Sequence, residues 1–168
     1  MFREFTMSEP KSFKRYPAVP CWIEHLMEGR YSSDERVLYS IFGKLKRVRI
    51  VATVWDKREI MYNDTRMEDD ASTDEEDTFR MEFDLDDGTG QIRATVWRAD
   101  PETYEDIKKG DVVDVIGLIR KWKEYISVSP EIINKIENPN FVLLRDAEIT
   151  KRISSGEIEE LPDIPEDD

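Results

Sequence analysis

Residues 79–98 read FRMEFDLDDGTGQIRATVWR, and this stretch decides the architecture. Phe79, Met81, Phe83 and Leu85 alternate with Arg80, Glu82 and Asp84, the period of two that marks a half-buried strand. Ile92, Ala94 and Val96 repeat the pattern against Gln91, Arg93, Thr95 and Trp97. Between the two runs, Asp87-Gly88 and Gly90 tolerate positive φ, so the strands form a tight hairpin. Asp84, Asp86 and Asp87 are candidates for a metal or acid–base cluster, but Asp86-Asp87-Gly88 is better explained as turn chemistry.

Upstream, Val48, Ile50, Ala52 and Val54 alternate with Arg47, Arg49, Val51 and Thr53, a first strand running to about residue 61. Residues 63–77 then form a loop before the hairpin. Downstream, Asp100 caps and Pro101 opens a short helix that turns Tyr104 and Ile107 inward and ends at Lys108-Lys109-Gly110. A fourth strand covers 112–120, with Gly117 marking a bulge or bend. A charged turn around Trp122 leads to a fifth strand, 125–136, bent at Pro130. The order is strand, long loop, hairpin, helix, two strands. Closing five strands leaves an open end, and a helix between strands three and four plugs it. The expected fold is therefore all-β with helices: a five-stranded Greek-key barrel of the OB type. An SH3-like barrel is the alternative, and it does not call for a capped helix there.

Residues 21–137 make up this domain, opening with a short helix over 21–29 that places Trp22, Ile23 and Leu26 on one face. Residues 1–20, with Pro10, Pro17 and Pro20, read as a flexible leader. After Asn138-Pro139 a C-terminal helix occupies 141–154 within segment 138–155, its apolar side made of Phe141, Leu144, Ile149 and Ile153. Residues 156–168 read as an acidic disordered tail.

The net charge of −13 argues at first against a nucleic-acid partner. Its distribution changes that inference. Residues 63–77 carry −7 and residues 156–168 another −7, leaving about +1 for everything else. Each block is a solvated segment or an interaction segment for a basic partner, and both could compete with nucleic acid for a basic face. One Cys (Cys21) and one His (His25) exclude a disulfide framework and an all-Cys/His metal site. Both fit structural roles on the first helix. No run is long enough to span a membrane. No phosphate-cradling glycine loop, HExxH pattern or nucleophile elbow occurs, so no enzyme and no cofactor is expected.

The candidate binding residues lie on the outward face of strands two and three and in the four–five loop. They are Arg80, Arg93, Trp97, Arg98, Arg120, Lys121, Trp122 and Lys123, with Tyr125 just after. Exposed rings among cations suit single-stranded nucleic acid, because every base has a face to stack and cations follow the phosphates. The competing reading packs Trp97 beneath the acidic loop and uses Trp122 to staple its own hairpin. Trp55, beside Lys57 and Arg58, is outward as either a cover or a contact.

Residues 79–98, Pro101-Glu102-Thr103-Tyr104 and residues 114–122 (DVIGLIRKW) together resemble the middle-subunit OB domain of replication protein A in its archaeal form, over about residues 48–153. The resemblance implies a non-enzymatic subunit that binds single-stranded DNA without sequence preference in replication, repair and recombination, cytoplasmic and at the nucleoid. It implies that Trp97 and Trp122 stack bases while Arg80, Arg93, Arg98, Arg120, Lys121 and Lys123 meet phosphate. It also implies a C-terminal helix that joins those of other subunits in a heterotrimer. The acidic 63–77 loop, the long leader and an acidic tail in place of a winged-helix domain depart from that pattern. A subunit used only for assembly and an RNA-binding OB module are the alternatives.

Overall fold

The computed structural model describes residues 16–62 and 78–164. The first strand is β5 (Arg47–Tyr62), preceded by four short strands: β1 (Val19–Pro20), β2 (Arg30–Ser32), β3 (Val37–Ser40) and β4 (Gly43–Leu45). The hairpin is β6 (Thr78–Asp86) and β7 (Gln91–Ala99), and β8 (Val112–Trp122) and β9 (Tyr125–Lys135) complete the set. β5 pairs β6, β6 pairs β7, β7 pairs β9 in parallel, β9 pairs β8, and β8 returns to β5. The hydrogen bonding thus closes a ring of five strands around Val48, Ile50, Val54, Met81, Phe83, Leu85, Ala94 and Val113.

Both ends of the ring are filled. At one end, α1 (Ile23–Met27) sends Ile23 and Leu26 into the core, with Cys21 beside them. The hairpin turn grips this helix: Ile23 N donates to Asp87 Oδ2 at 2.8 Å and Glu24 N to Thr89 Oγ1 at 3.0 Å. Burial pushes the Cys21 thiol up to about 12, with Asp87 adding to the effect, so it is no nucleophile near neutrality. Between β7 and β8 the expected helix is a single 3-10 turn, Pro101–Tyr104, whose N-cap Asp100 accepts from Glu102 N. Lys57 Nζ donates to the carbonyls of Tyr104 and Ile107 at 2.5 and 2.8 Å, satisfying acceptors at the end of the turn.

Three irregularities break the alternation. Val54 pairs Leu85 and Asp56 pairs Asp84, so Trp55 is an extra residue on β5. Met81 pairs Val96 and Phe79 pairs Ala99, so Arg80 alone faces both Trp97 and Arg98. Ile116 pairs Ile132 and Gly117 pairs Pro130, which leaves Glu131 extra on β9 beside the expected bend. Each bulge re-aims the side chains that follow it. The first turns Lys57 inward and puts Arg58 on the face of Glu82 and Asp84.

Four segments differ from the sequence reading. Val19 and Pro20, assigned to the leader, form a parallel bridge to Val48 and Arg49. Residues 30–45, which show no long alternation, form a separate three-stranded antiparallel sheet, β2–β3–β4. The C-terminal helix α2 (Asn140–Ser154) divides its apolar residues. Ile149 is buried and Ile153 packs on the core, whereas Phe141, Leu143 and Leu144 are 58%, 67% and 55% exposed. A step of about 100° per residue carries Ile149 and Ile153 toward the domain and Phe141 and Leu144 away from it. The docked half is held further by Trp22 Nε1 donating to Asp146 Oδ1 at 3.0 Å and by Arg152 over the Phe42 ring at 4.7 Å. Finally, the expected tail is anchored as far as it is described: Glu159 N donates to Ile41 O at 2.7 Å, and Arg30 Nη1 reaches Pro162 O at 2.7 Å and Asp163 at 3.0 Å. The acidic block 63–77 and residues 1–15 lie outside the described residues.

His25 gives this end of the fold a pH dependence. Its Nδ1 accepts from Trp22 N at 3.1 Å, its ring stacks on Trp22 at 5.4 Å, and it meets Phe42 edge-on at 4.8 Å. Burial lowers its pKa below 6.5, against the opposing pull of Glu24, Glu28 and Asp87. The unfolded chain then takes up the proton first, so stability present above that pH is lost as pH falls through the lowered value. Thermal melts at about pH 5 and about pH 7 should show the lower Tm in acid, and His25→Gln should remove much of that difference. Equal pH dependence in the variant would assign the effect elsewhere.

Candidate nucleic-acid interface

A groove of about 950 Å³ runs along the outer face of β6 and β7 and under the β8–β9 hairpin. Six of the residues expected from sequence line it together: Arg80, Arg93, Trp97, Arg120, Trp122 and Tyr125. The three aromatics are 56%, 66% and 70% exposed for Trp97, Trp122 and Tyr125. Trp122 and Tyr125 face each other across the hairpin tip, where they are register partners. Arg93 lies opposite Ser127, so Tyr125 sits toward Gln91 while Trp97 lies farther along β7. At the rise of an extended strand the two aromatic groups are roughly 20 Å apart, room for several nucleotides.

The backbone around both tryptophans is unusual. Arg98 and Lys123 have φ of 51° and 55°, in the left-handed region that favours glycine. Each directly follows one of the exposed tryptophans. Holding a side chain there costs about 1–2 kcal/mol, and such strain is concentrated where a particular side-chain aim is required. At Arg98 the cause is the bulge opposite Arg80, and at Lys123 the two-residue turn between Trp122 and Tyr125. Cations cover one side of each ring: the Arg80 guanidinium stands 5.3 Å from the Trp97 centroid, and Lys123 Nζ 4.4 Å from that of Trp122. Tyr62 meets Trp97 edge-on at 5.4 Å. Tyr62 and Thr78 are register partners.

The remaining cations divide. Lys121 is not among the groove-lining residues; its Nζ lies 5.7 Å from the Tyr31 ring. Lys123 sits on Trp122, and Arg98 lies outside the lining. Arg120 lines the groove without an ion-pair partner among the described residues. Arg80 and Arg93 are engaged by carboxylates: Arg80 Nε donates to Glu82 Oε1 at 3.1 Å and Arg93 Nε to Asp84 Oδ1 at 3.0 Å. Arg58, on the facing stretch of β5, donates to both of the same acids. Burial alone would raise Asp84, but hydrogen bonds from Arg58 and Arg93 outweigh it and hold its carboxyl below the usual range. The hydrogen bond to Asp84 heads the causes that push Arg58 upward.

Arg58, Glu82, Asp84, Tyr62 and Met27 are participants that the sequence reading did not select for binding, Asp84 entering that reading only as part of an acidic cluster. The alternation already placed Glu82 and Asp84 outward beside Arg80. Arg58 was concealed by the bulge at Trp55, which shifts the phase of the strand without leaving a mark in composition. Trp55 itself is 58% exposed and outside the groove lining. Among the described residues no group of His, Cys, Asp and Glu could hold a metal ion.

Residues 80–136 match the model of an OB-fold nucleic acid binding domain. A replication protein A heterotrimer bound to single-stranded DNA contains a chain that superposes with a TM-score of 0.62 at 16% identity, over 84% of this chain and 98% of that one. The fold is an OB fold. Yeast replication protein A bound to single-stranded DNA gives a TM-score of 0.57 at 21% identity over 83% of this chain and 95% of its counterpart. The Stn1–Ten1 complex of S. pombe gives 0.64 at 12% identity, over 83% and 93%. In sequence, the chain is 26% identical over 137 residues to a 32 kDa subunit of replication protein A from Oryza sativa subsp. japonica. That match takes in 79% of this chain and 40% of the rice protein, so the chain spans less than half the length of this curated relative. No helix among the described residues is long and apolar enough to cross a membrane.

Proposed function

We propose that this chain is an OB-fold subunit of a replication protein A-like complex. It binds single-stranded DNA without sequence preference, as replication, repair and recombination require, and assembles with other OB subunits through its C-terminal helix. The observation that carries the reading is the groove itself: Trp97, Trp122 and Tyr125 stand exposed along it, with a cation over each tryptophan. Bases stack on such rings whatever their identity. Arg120, which lines the groove, and Lys123, which stands on Trp122, are the edge cations that follow the backbone, with Lys121 and Arg98, outside the lining, as further phosphate contacts. The likeness to chains of replication protein A supports the same reading.

The deciding experiment is titration of labelled oligo-dT and oligo-rU with the wild-type chain and with Trp97→Ala/Trp122→Ala. Loss of oligo-dT binding in the variant supports the reading. Undiminished affinity removes base stacking from it, and a strong preference for oligo-rU points to an RNA-binding module, since stacking alone does not use the 2′-OH.

Assembly uses the outer half of α2. Ile149 and Ile153 are committed to the chain's own core, so Phe141 and Leu144, with Leu143 added by the structure, are the residues available to a partner. Phe141→Ser/Leu144→Ser should abolish co-purification with partner OB subunits while leaving the Tm nearly unchanged, because neither side chain supports the domain. Retained co-purification would reject this surface.

A further inference from the structure

The floor of the groove is an ion-pair lattice, and its charges balance. Arg58 and Glu82 are direct cross-strand partners, as are Asp84 and Arg93. Arg58 donates to Glu82 Oε2 at 3.1 Å, to Asp84 Oδ2 at 2.9 Å and to Asp56 Oδ2 at 2.5 Å. Arg80 takes the other oxygen of Glu82, and Arg93 reaches Asp84 at 3.0 Å and Glu82 at 3.8 Å. Three guanidiniums therefore meet three carboxylates; Arg80, Glu82, Asp84 and Arg93 line the groove, while Arg58 and Asp56 join them from β5, outside the lining. Glu82 is only 7% exposed although it lines an open groove, because the arginines cover it. A groove that held phosphate along its floor would carry unpaired cations there. Among the described residues each guanidinium of this lattice is met by a carboxylate, and Arg120, at the β8–β9 hairpin, is the lining cation outside it.

We propose that Glu82 and Asp84 are resident counter-anions of the groove. They occupy the guanidiniums of Arg58, Arg80 and Arg93 in place of DNA phosphate, so that the bound strand turns its bases toward the floor and its phosphates toward the edge cations. This rests on the single-strand binding proposed above and reassigns Arg80 and Arg93, which the sequence reading gave to phosphate. The two acids are positioning residues: Glu82 holds Arg80, whose guanidinium stands over Trp97, and Asp84 holds Arg58 and Arg93. Binding then depends weakly on salt, since only the edge cations release counterions from the strand.

The test measures oligo-dT affinity of the full chain against salt concentration for the wild type, Glu82→Gln/Asp84→Asn and Arg93→Gln. Removing the two charges frees the floor arginines for phosphate, so the slope of log K against log[salt] should steepen by about 0.7 for each phosphate newly engaged, with tighter binding at low salt. Arg93→Gln should leave the wild-type slope unchanged. An unchanged slope in a folded double variant overturns the proposal, and so does a slope made shallower by about 0.7 in Arg93→Gln, which does not depend on the double variant folding. A wild-type chain that binds no oligo-dT at any salt concentration overturns the binding reading itself, an outcome distinct from binding that persists with unaltered slopes.

Discussion

Alanine at both Trp97 and Trp122 is expected to weaken oligo-dT binding by about 30-fold at the least and about 10⁴-fold at most. The range follows from about 1–3 kcal/mol for each base stacked on an aromatic ring. The single variants should each show part of the loss, and the parts should sum, because roughly 20 Å of strand separates the two rings and neither shares a partner with the other. Folding should survive. Both rings are more than half exposed, at 56% and 66%, and neither belongs to the buried core. Fluorescence anisotropy of labelled DNA is the appropriate readout, since the variants remove intrinsic fluorophores. Arg80 and Lys123 remain in the double variant, so any residual affinity measures what the cations contribute alone. A double variant that melts like the wild type and binds like it would end the stacking account.

The second large effect concerns stability. A Cβ added at Gly117 would lie 2.5 Å from Ser129 O, 2.7 Å from Val128 Cγ1 and 2.9 Å from Pro130 Cα. Two of these atoms are backbone and cannot rotate away. Gly117 is also where β8 bonds to both β5 and β9, so pushing the strands apart there opens the ring. Gly117→Val should cost about 3 kcal/mol or more, at the upper end of overpacking effects. For a domain of this size that lowers Tm by about 6–12 °C. Gly88→Ala provides the contrast. Its added Cβ meets nothing, but its φ is +85°, so only the local backbone preference is lost, about 1 kcal/mol. Thermal melts in which both variants lose the same small amount would show that the strands at Gly117 can separate more readily than the contacts imply.

The success of the sequence reading follows the reach of its signals. The β6–β7 hairpin was legible because alternation and turn chemistry are both local and agree. The interior glycine of β8 pointed to a bend, and a bulge lies there. Six of nine candidate binding residues line one groove, since a regular strand puts alternate residues on a common face. Local signals failed wherever a partner strand resets the phase. The bulge at Trp55 exchanged the sides of Lys57 and Arg58, and the bulge opposite Arg80 set the aim of Trp97. The helix residues Phe141, Leu144, Ile149 and Ile153 are all apolar, and nothing in that set says which pair the domain claims for itself.

By itself the sequence determined the five main strands, their order, the hairpin, the final helix and the concentration of acid in two segments of the chain. These depend on residue type and spacing within a few positions. The tertiary structure alone decided the parallel β7–β9 contact that closes the ring, the small β2–β4 sheet that with its turn receives Glu159, Pro162 and Asp163, and the joining of Arg58, Arg80 and Arg93 to Glu82 and Asp84. Those are relations between strands. They depend on register, and register is set by how the whole core packs, so a basic face counted along the chain becomes an electrically balanced floor once the strands are laid side by side.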